Sequence, residues 1–379
     1  MDKNQKTVPP ASKPVQRKIW MDNIRWITVM IVVFYHVIYI FNSSNVMGAV
    51  GHFHDVQYQD GVMLFVYPWM IMLLFAVSGI STRYALDKYS SKDFFRSRTH
   101  KLLVPSTLGV LIYQWIQGCI NTLVADGFNQ IPPEVPQPVR VIIGYIFSIL
   151  FGTGPLWFIQ LLWVFSLLIL LIRKIDKKDK LYSLTSTVSP VIVMVLGYGL
   201  ILGSAQILNM PLIEVFRFGV YFMAFLIGYF CLSAEKMQNM LEKLALPLGI
   251  AAVAVGIAYV IFHFGKNCAD PKLLKSIFTN VYAWTAIMAI IGCGKKFLNR
   301  KSKFTDWMAA KSWGFYVLHY IPLLATAYLL YNFTSVPPVL IYIITAIVTC
   351  AASVLLFELF RRIPFLRWCI LGIRSPKKQ

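Results

Sequence analysis

Long apolar runs alternate with short polar stretches from residue 24 almost to the end of the chain. Ten runs approach the roughly 20 residues that a helix needs to cross a hydrocarbon core. They are Ile24–Phe41, Val62–Tyr84, Leu102–Val124, Leu156–Ile172, Leu184–Gly203, Ile213–Leu232, Leu244–Phe264, Ser276–Cys293, Ser312–Tyr331 and Val339–Phe360. A further run, Val141–Phe151, is too short to span comfortably and reads as a re-entrant or interfacial helix before the fourth span. The pattern predicts an all-α polytopic membrane protein with about ten transmembrane helices in one bundle. No internal repeat is evident.

Composition removes one alternative. A chain of 379 residues would suggest two or three soluble domains, but 58% of its residues are hydrophobic and only 14% are charged. A soluble protein carries about 25% charge. The apolar runs leave no room for a soluble domain, so residues 20–372 are expected to form one transmembrane domain. Residues 1–19, with three prolines between Thr7 and Pro14, read as a disordered cytoplasmic arm, and residues 373–379 as a cytoplasmic tail. The arm lacks the short apolar region and cleavage site of a signal peptide.

Charge then sets an orientation. With the N-terminus inside, the inside segments hold thirty of the 36 lysines and arginines. Five fall outside: Arg140, Arg217, Lys266, Lys272 and Lys275. Such a bias is the positive-inside pattern. It predicts an even number of spans with both termini in the cytoplasm. The net charge of +20 is therefore membrane-flanking charge and not a groove for nucleic acid. The six cysteines show no CxxC spacing and read as small apolar residues, without a disulfide framework or zinc site.

Polar groups inside apolar spans are costly and mark candidate chemistry. In the first span, Arg25 and His36 are eleven residues apart. A helix turns about 1100° over that length, some 20° from three full turns, so the two share a face. The rise of about 1.5 Å per residue sets them about 16 Å apart, Arg25 near the cytoplasmic interface and His36 near mid-bilayer. Such a histidine can act as a general base near neutral pH. The other reading is a packed histidine and a snorkelling arginine. In and after the second span, Ser78-Gly79 allows close helix approach, and Arg98 and Lys101 lie on one helix face. Those two could hold the phosphates of a nucleotide-bearing donor, or could be ordinary positive-inside charge.

Trp157, in Gly154-Pro-Leu-Trp-Phe158, fits an interfacial aromatic anchor. Tyr316 and His319 are i,i+3 neighbours, which fits a packed structural pair, and Glu358 stands within reach of Arg361 or Arg362. His52, His54 and Asp55 in the first external loop are too few for a metal site, and none is expected.

Taken together, these motifs resemble the acyltransferase 3 family of membrane acyltransferases. Arg25 and His36 match its Arg-x10-His signature, and Ser78-Gly79 its Ser-Gly motif. Arg98 and Lys101 before Pro105 match its Arg-x-x-Arg, with lysine in the second place, which keeps the charge but loses the bidentate fork. Leu156-Trp157-Phe158 and Tyr316-x-x-His319 complete the set, although relatives more often have proline at or next after the position of Tyr320. A glucan-biosynthesis branch of the family shares further details: Asp22-x-x-Arg25, Tyr221-Phe-x-x-Phe225-x-x-Gly228, and Glu358 with Arg362-Ile-Pro-Phe-Leu366. The resemblance runs from about Trp20 to Gly372.

The resemblance implies a cell inner membrane enzyme that moves an acyl group, succinyl or acetyl in class. The donor would be cytoplasmic acyl-CoA, and the acceptor a hydroxyl of an envelope glycan or lipid-linked sugar. No tightly bound cofactor is expected; acyl-CoA is a substrate, and membrane lipid surrounds the chain. His36 would deprotonate the acceptor or itself receive the acyl group. Arg25 would hold donor phosphate or orient His36, with Arg98 and Lys101 adding donor electrostatics. Ser78, Trp157, Tyr316, His319 and Glu358 would support substrate or structure. A flippase of a glycan precursor is the alternative, but the paired broken half-helices of an inverted repeat are not seen.

Overall fold

The computed structural model describes residues 18–46, 48–132, 134–207 and 217–374. Most of the expected N-terminal arm, the end of the tail and the start of the sixth apolar run lie outside the described residues. Among the described residues there are helices and connecting turns, and no strand. Seven helices are long and apolar enough to cross a membrane, and ten if each bent pair counts as one span. The chain is a multi-pass membrane protein.

The first helix, α1 (Ile19–Tyr39), begins five residues before the expected start and includes Asp22 in its first turn. It packs against α2 (Asp60–Lys88), the central helix of the bundle, of whose most apolar stretch 83% is buried. Then come α3 (Ser91–Val124), α4 (Gln137–Leu150) and α5 (Gly154–Ile175). Pro105 lies inside α3, and wide turns occur on either side of it, at Thr99–Leu103 and Val110–Gln114. A proline supplies no N–H to the helix ladder, so the neighbouring carbonyls take other partners.

Two expected spans, the fifth and the ninth, are bent, and a third bend follows the end of the sixth. The fifth divides into α6 (Lys180–Thr187) and α7 (Pro190–Ala205), 114° apart. The cause is Pro190, which holds Ser189 in an extended conformation (φ −57°, ψ 131°) that no helix continues through. The sixth continues from α8 (Phe218–Leu232) into α9 (Glu235–Lys243) with a 97° bend. After α10 (Ala245–His263), a short α11 (Pro271–Lys275) and α12 (Ile277–Phe297), the ninth divides at His319. There α13 (Lys303–Leu318) and α14 (Tyr320–Phe333) meet at 56°. The chain ends in α15 (Pro338–Arg362) and a short α16 (Pro364–Cys369).

Helix α2 approaches α8 closely because glycine sits on both sides. A Cβ at Gly79 would overlap the Phe225 carbonyl oxygen, and one at Gly228 the Ala76 carbonyl. The close approach read from Ser78-Gly79 is thus real, and Gly79 carries it.

Basic residues gather at one end of the bundle. Lys18 reaches Gln238 on α9 (2.9 Å), Asn23 bonds the Leu298 and Arg300 carbonyls (2.6 and 3.0 Å), and Lys295 pairs with Glu242 (3.2 Å). Arg83 at the end of α2 pairs with Asp179 at 2.6 Å and with Asp87 at 3.2 Å. The opposite end is tied by polar contacts, among them Asn267 to the Asn45 carbonyl (2.9 Å), Gln59 to Tyr342 (3.0 Å) and the Ser43 hydroxyl to Asp60 (3.0 Å). The six cysteines are free thiols, with Cys268 and Cys369 buried.

Candidate active site

The site begins with a proline. Pro322, in the first turn of α14, cannot donate to the Leu318 carbonyl four residues back, and its ring crowds that carbonyl. The helix bends there, and His319 stands at the bend, fully buried. Its Nδ1 lies 2.9 Å from the Phe315 carbonyl and 2.9 Å from the Tyr316 carbonyl. A carbonyl only accepts, so Nδ1 carries the proton and Nε2 the lone pair.

That lone pair faces His36. The distance from His319 Nε2 to His36 Nδ1 is 3.2 Å, and the ring centroids are 5.2 Å apart. The His36 ring also hydrogen-bonds the Val32 carbonyl one turn back. His36 Nδ1 is therefore the donor, which leaves the lone pair on Nε2. In this tautomer His36 can accept a proton at Nε2, and its ring is oriented by a second histidine. Tyr35, Tyr39 and Tyr320 surround it, with centroids 5.4, 5.9 and 5.2 Å away.

The expected face and separation of Arg25 and His36 hold, because α1 is one uninterrupted helix between them. His36 lies three residues, about 4.5 Å, from the end of α1, on the side away from the basic residues.

At the basic end, Arg25 bonds Asp22 (2.9 Å) and the Ser81 hydroxyl. Arg98 bonds Thr82 (3.2 Å) and lies 5.0 Å from the Phe94 ring centroid. Lys101 is exposed and sits 5.3 Å from the Trp313 ring centroid. Arg98 feels the charge of Arg25, and Lys101 feels both. The three motif cations thus form one cluster, with Asp22 as a neighbouring carboxylate. Such a cluster attracts polyanions.

The remaining candidates divide. Tyr316 packs on Phe158 (5.7 Å) and bonds the Pro155 carbonyl, so two of the sequence motifs meet there. Trp157 packs inward, stacked on Tyr221 at 5.6 Å and 23°, and is not an outward-facing interfacial anchor. Glu358 stands apart from the histidines. It bonds Lys311 and Arg361, and so clamps α15 to α13. Ser78 is half-buried beside Gly79 on α2. The hydroxyls that receive the two arginines belong to Ser81 and Thr82, which sequence reasoning passed over; Ser81 lies one turn from Ser78, and that spacing was the available signal. In the first loop, His52 and Asp55 are exposed and 4.0 Å apart.

The profile of the acyltransferase domain known as acyltransferase 3 matches residues 18–358. The chain belongs to this family. It is similar over its whole length to glucans biosynthesis protein C of Escherichia coli K12 and of Shigella boydii serotype 4. Each is 20% identical over 397 aligned residues that cover 97% of both chains. No solved structure matches the chain. Family membership makes this chain a membrane acyltransferase, and the histidine pair lies where two motifs converge.

Proposed function

We propose that the protein moves an acyl group, succinyl or acetyl in class, from cytoplasmic acyl-CoA to a hydroxyl of an envelope glycan or lipid-linked sugar at the inner membrane. The observation that carries the reading is the histidine pair. Two backbone carbonyls fix the tautomer of His319, and His319 in turn fixes that of His36, with its basic nitrogen at Nε2. The acceptor hydroxyl gives its proton to that nitrogen as its oxygen attacks the thioester carbonyl. The carbon–sulfur bond breaks, the ester forms, and the coenzyme thiolate takes the proton from His36. Donor phosphates rest on Arg25, Arg98 and Lys101, about 16 Å from His36 along α1. An extended pantetheine arm covers a gap of that order. The relatives' name, glucans biosynthesis protein C, supports a glycan acceptor.

The test uses purified protein with labelled acyl-CoA, with and without a glucan oligosaccharide. Acceptor-dependent release of CoA and labelled sugar is expected, and His36→Ala should lose it by a factor of about 10³ or more. Full transfer by a normally inserted His36→Ala protein would defeat the mechanism. Translocation of glycan without consumption of CoA would favour the flippase reading.

A further inference from the structure

The aromatic side chains around His36 close into a circuit. From His319 the contacts run to Tyr316 (6.5 Å), on to Phe158 (5.7 Å), then Trp157 (6.5 Å) and Tyr221 (5.6 Å). On the other side, His36 touches Tyr35 (5.4 Å), and Tyr35 touches Tyr67 on α2 (6.1 Å). Tyr67 and Tyr221 are electrostatic neighbours, which completes the ring. Five separate stretches of chain supply its members.

The phenol hydroxyls of the ring are not equivalent. Tyr316 donates to the Pro155 carbonyl, Tyr35 lies 3.9 Å from Cys268 Sγ, and Tyr221 bonds Arg217. The Tyr67 hydroxyl is buried and has no hydrogen-bond partner among the described residues. A buried polar group left unpaired is costly, and sites built to bind a hydroxyl show this signature before the ligand arrives. The neighbours of Tyr67 are aromatic rings and the guanidinium of Arg217, and aromatic rings are the groups that pack against the C–H faces of sugars.

We infer that this circuit is the acceptor subsite, and that it seats a neutral hexopyranose unit, with the Tyr67 hydroxyl bonded to one sugar hydroxyl while another faces His36. The inference rests on the proposed glycan acceptor and adds residues that no motif marks, Tyr35 and Tyr67. The acyl arm enters from the basic end, so the sugar enters from the opposite end of the bundle.

Tyr67→Phe removes only the hydroxyl. With a soluble glucan oligosaccharide as probe, its KM for the oligosaccharide should rise about five- to tenfold. Its KM for acyl-CoA should stay unchanged, and its thermal midpoint should hold or rise, because an unpaired hydroxyl has been removed. An unchanged oligosaccharide KM, or a rise in the KM for acyl-CoA instead, overturns the inference. Binding is read separately, without donor, from the oligosaccharide-induced fluorescence change that Trp157→Phe abolishes. If that change is present and weakened by Tyr67→Phe while no acyl group is ever transferred, the subsite stands and the transferase reading falls. If transfer proceeds and Tyr67→Phe behaves as wild type in both assays, the subsite falls and the transferase reading stands.

Discussion

At the residue scale, the chemistry depends on which nitrogen of each histidine holds the proton. His319 has no choice, because both groups near its Nδ1 are carbonyls. Under the proposed mechanism it acts through His36, as a positioning residue. His319→Ala leaves His36 Nδ1 without the neighbour that orients its ring. We expect kcat to fall about 10²-fold with the acyl-CoA KM unchanged, a smaller loss than that of His36→Ala. Single-turnover and steady-state kinetics separate the two, and a kcat within a factor of two of wild type would remove His319 from the mechanism. The shared face of Arg25 and His36 was legible in the sequence, since an unbroken helix converts spacing into geometry. Contact between His36 and His319 was not. They are 283 positions apart, and no periodicity within a helix reports on which other helix it meets. The same holds for Ser81 and Thr82, whose partners lie on α1 and α3.

At the element scale, the bends explain most differences between expectation and structure. Hydropathy averages over a window and so registers an apolar run whether or not it is straight. Leu184–Gly203 averages as apolar, yet Pro190 divides it. The bend at His319 has a similar origin in Pro322, and it has consequences for the site. Pro322→Ala restores a donor to the Leu318 carbonyl and should straighten α13 into α14, drawing His319 away from His36. We expect a protein that inserts and unfolds as wild type does but transfers at least tenfold more slowly. Undiminished transfer would show that the bend does not place His319. Gly79 tests packing separately from chemistry. Gly79→Ala forces a Cβ against the Phe225 carbonyl, with no flexible side chain to give way. A loss of about 1–3 kcal/mol in detergent unfolding is expected, and an unshifted midpoint would mean that α2 and α8 can separate without cost.

At the scale of the whole molecule, the motif cations and the histidine pair lie toward opposite ends of α1. Arg25 lies in the second turn and His36 in the last, with apolar helix between them. Coenzyme phosphates cannot cross hydrocarbon, so under the proposed function an acyl-CoA donor binds from the side where Arg25, Arg98 and Lys101 gather. We propose that this side is cytoplasmic, a reading that the thirty-to-five division of lysine and arginine supports. In sealed vesicles, added acyl-CoA should be consumed only when the vesicles are inside-out, provided the sugar acceptor is in the lumen. Right-side-out vesicles should consume it only after permeabilisation. Arg98→Ala should raise the acyl-CoA KM about tenfold at low salt. That ratio should shrink as salt is added, because screening weakens the wild-type attraction as well. Consumption by intact right-side-out vesicles and not by inside-out ones would place the donor at the histidine end. The basic cluster would then be topology charge alone, and the 16 Å between Arg25 and His36 would have no part in catalysis.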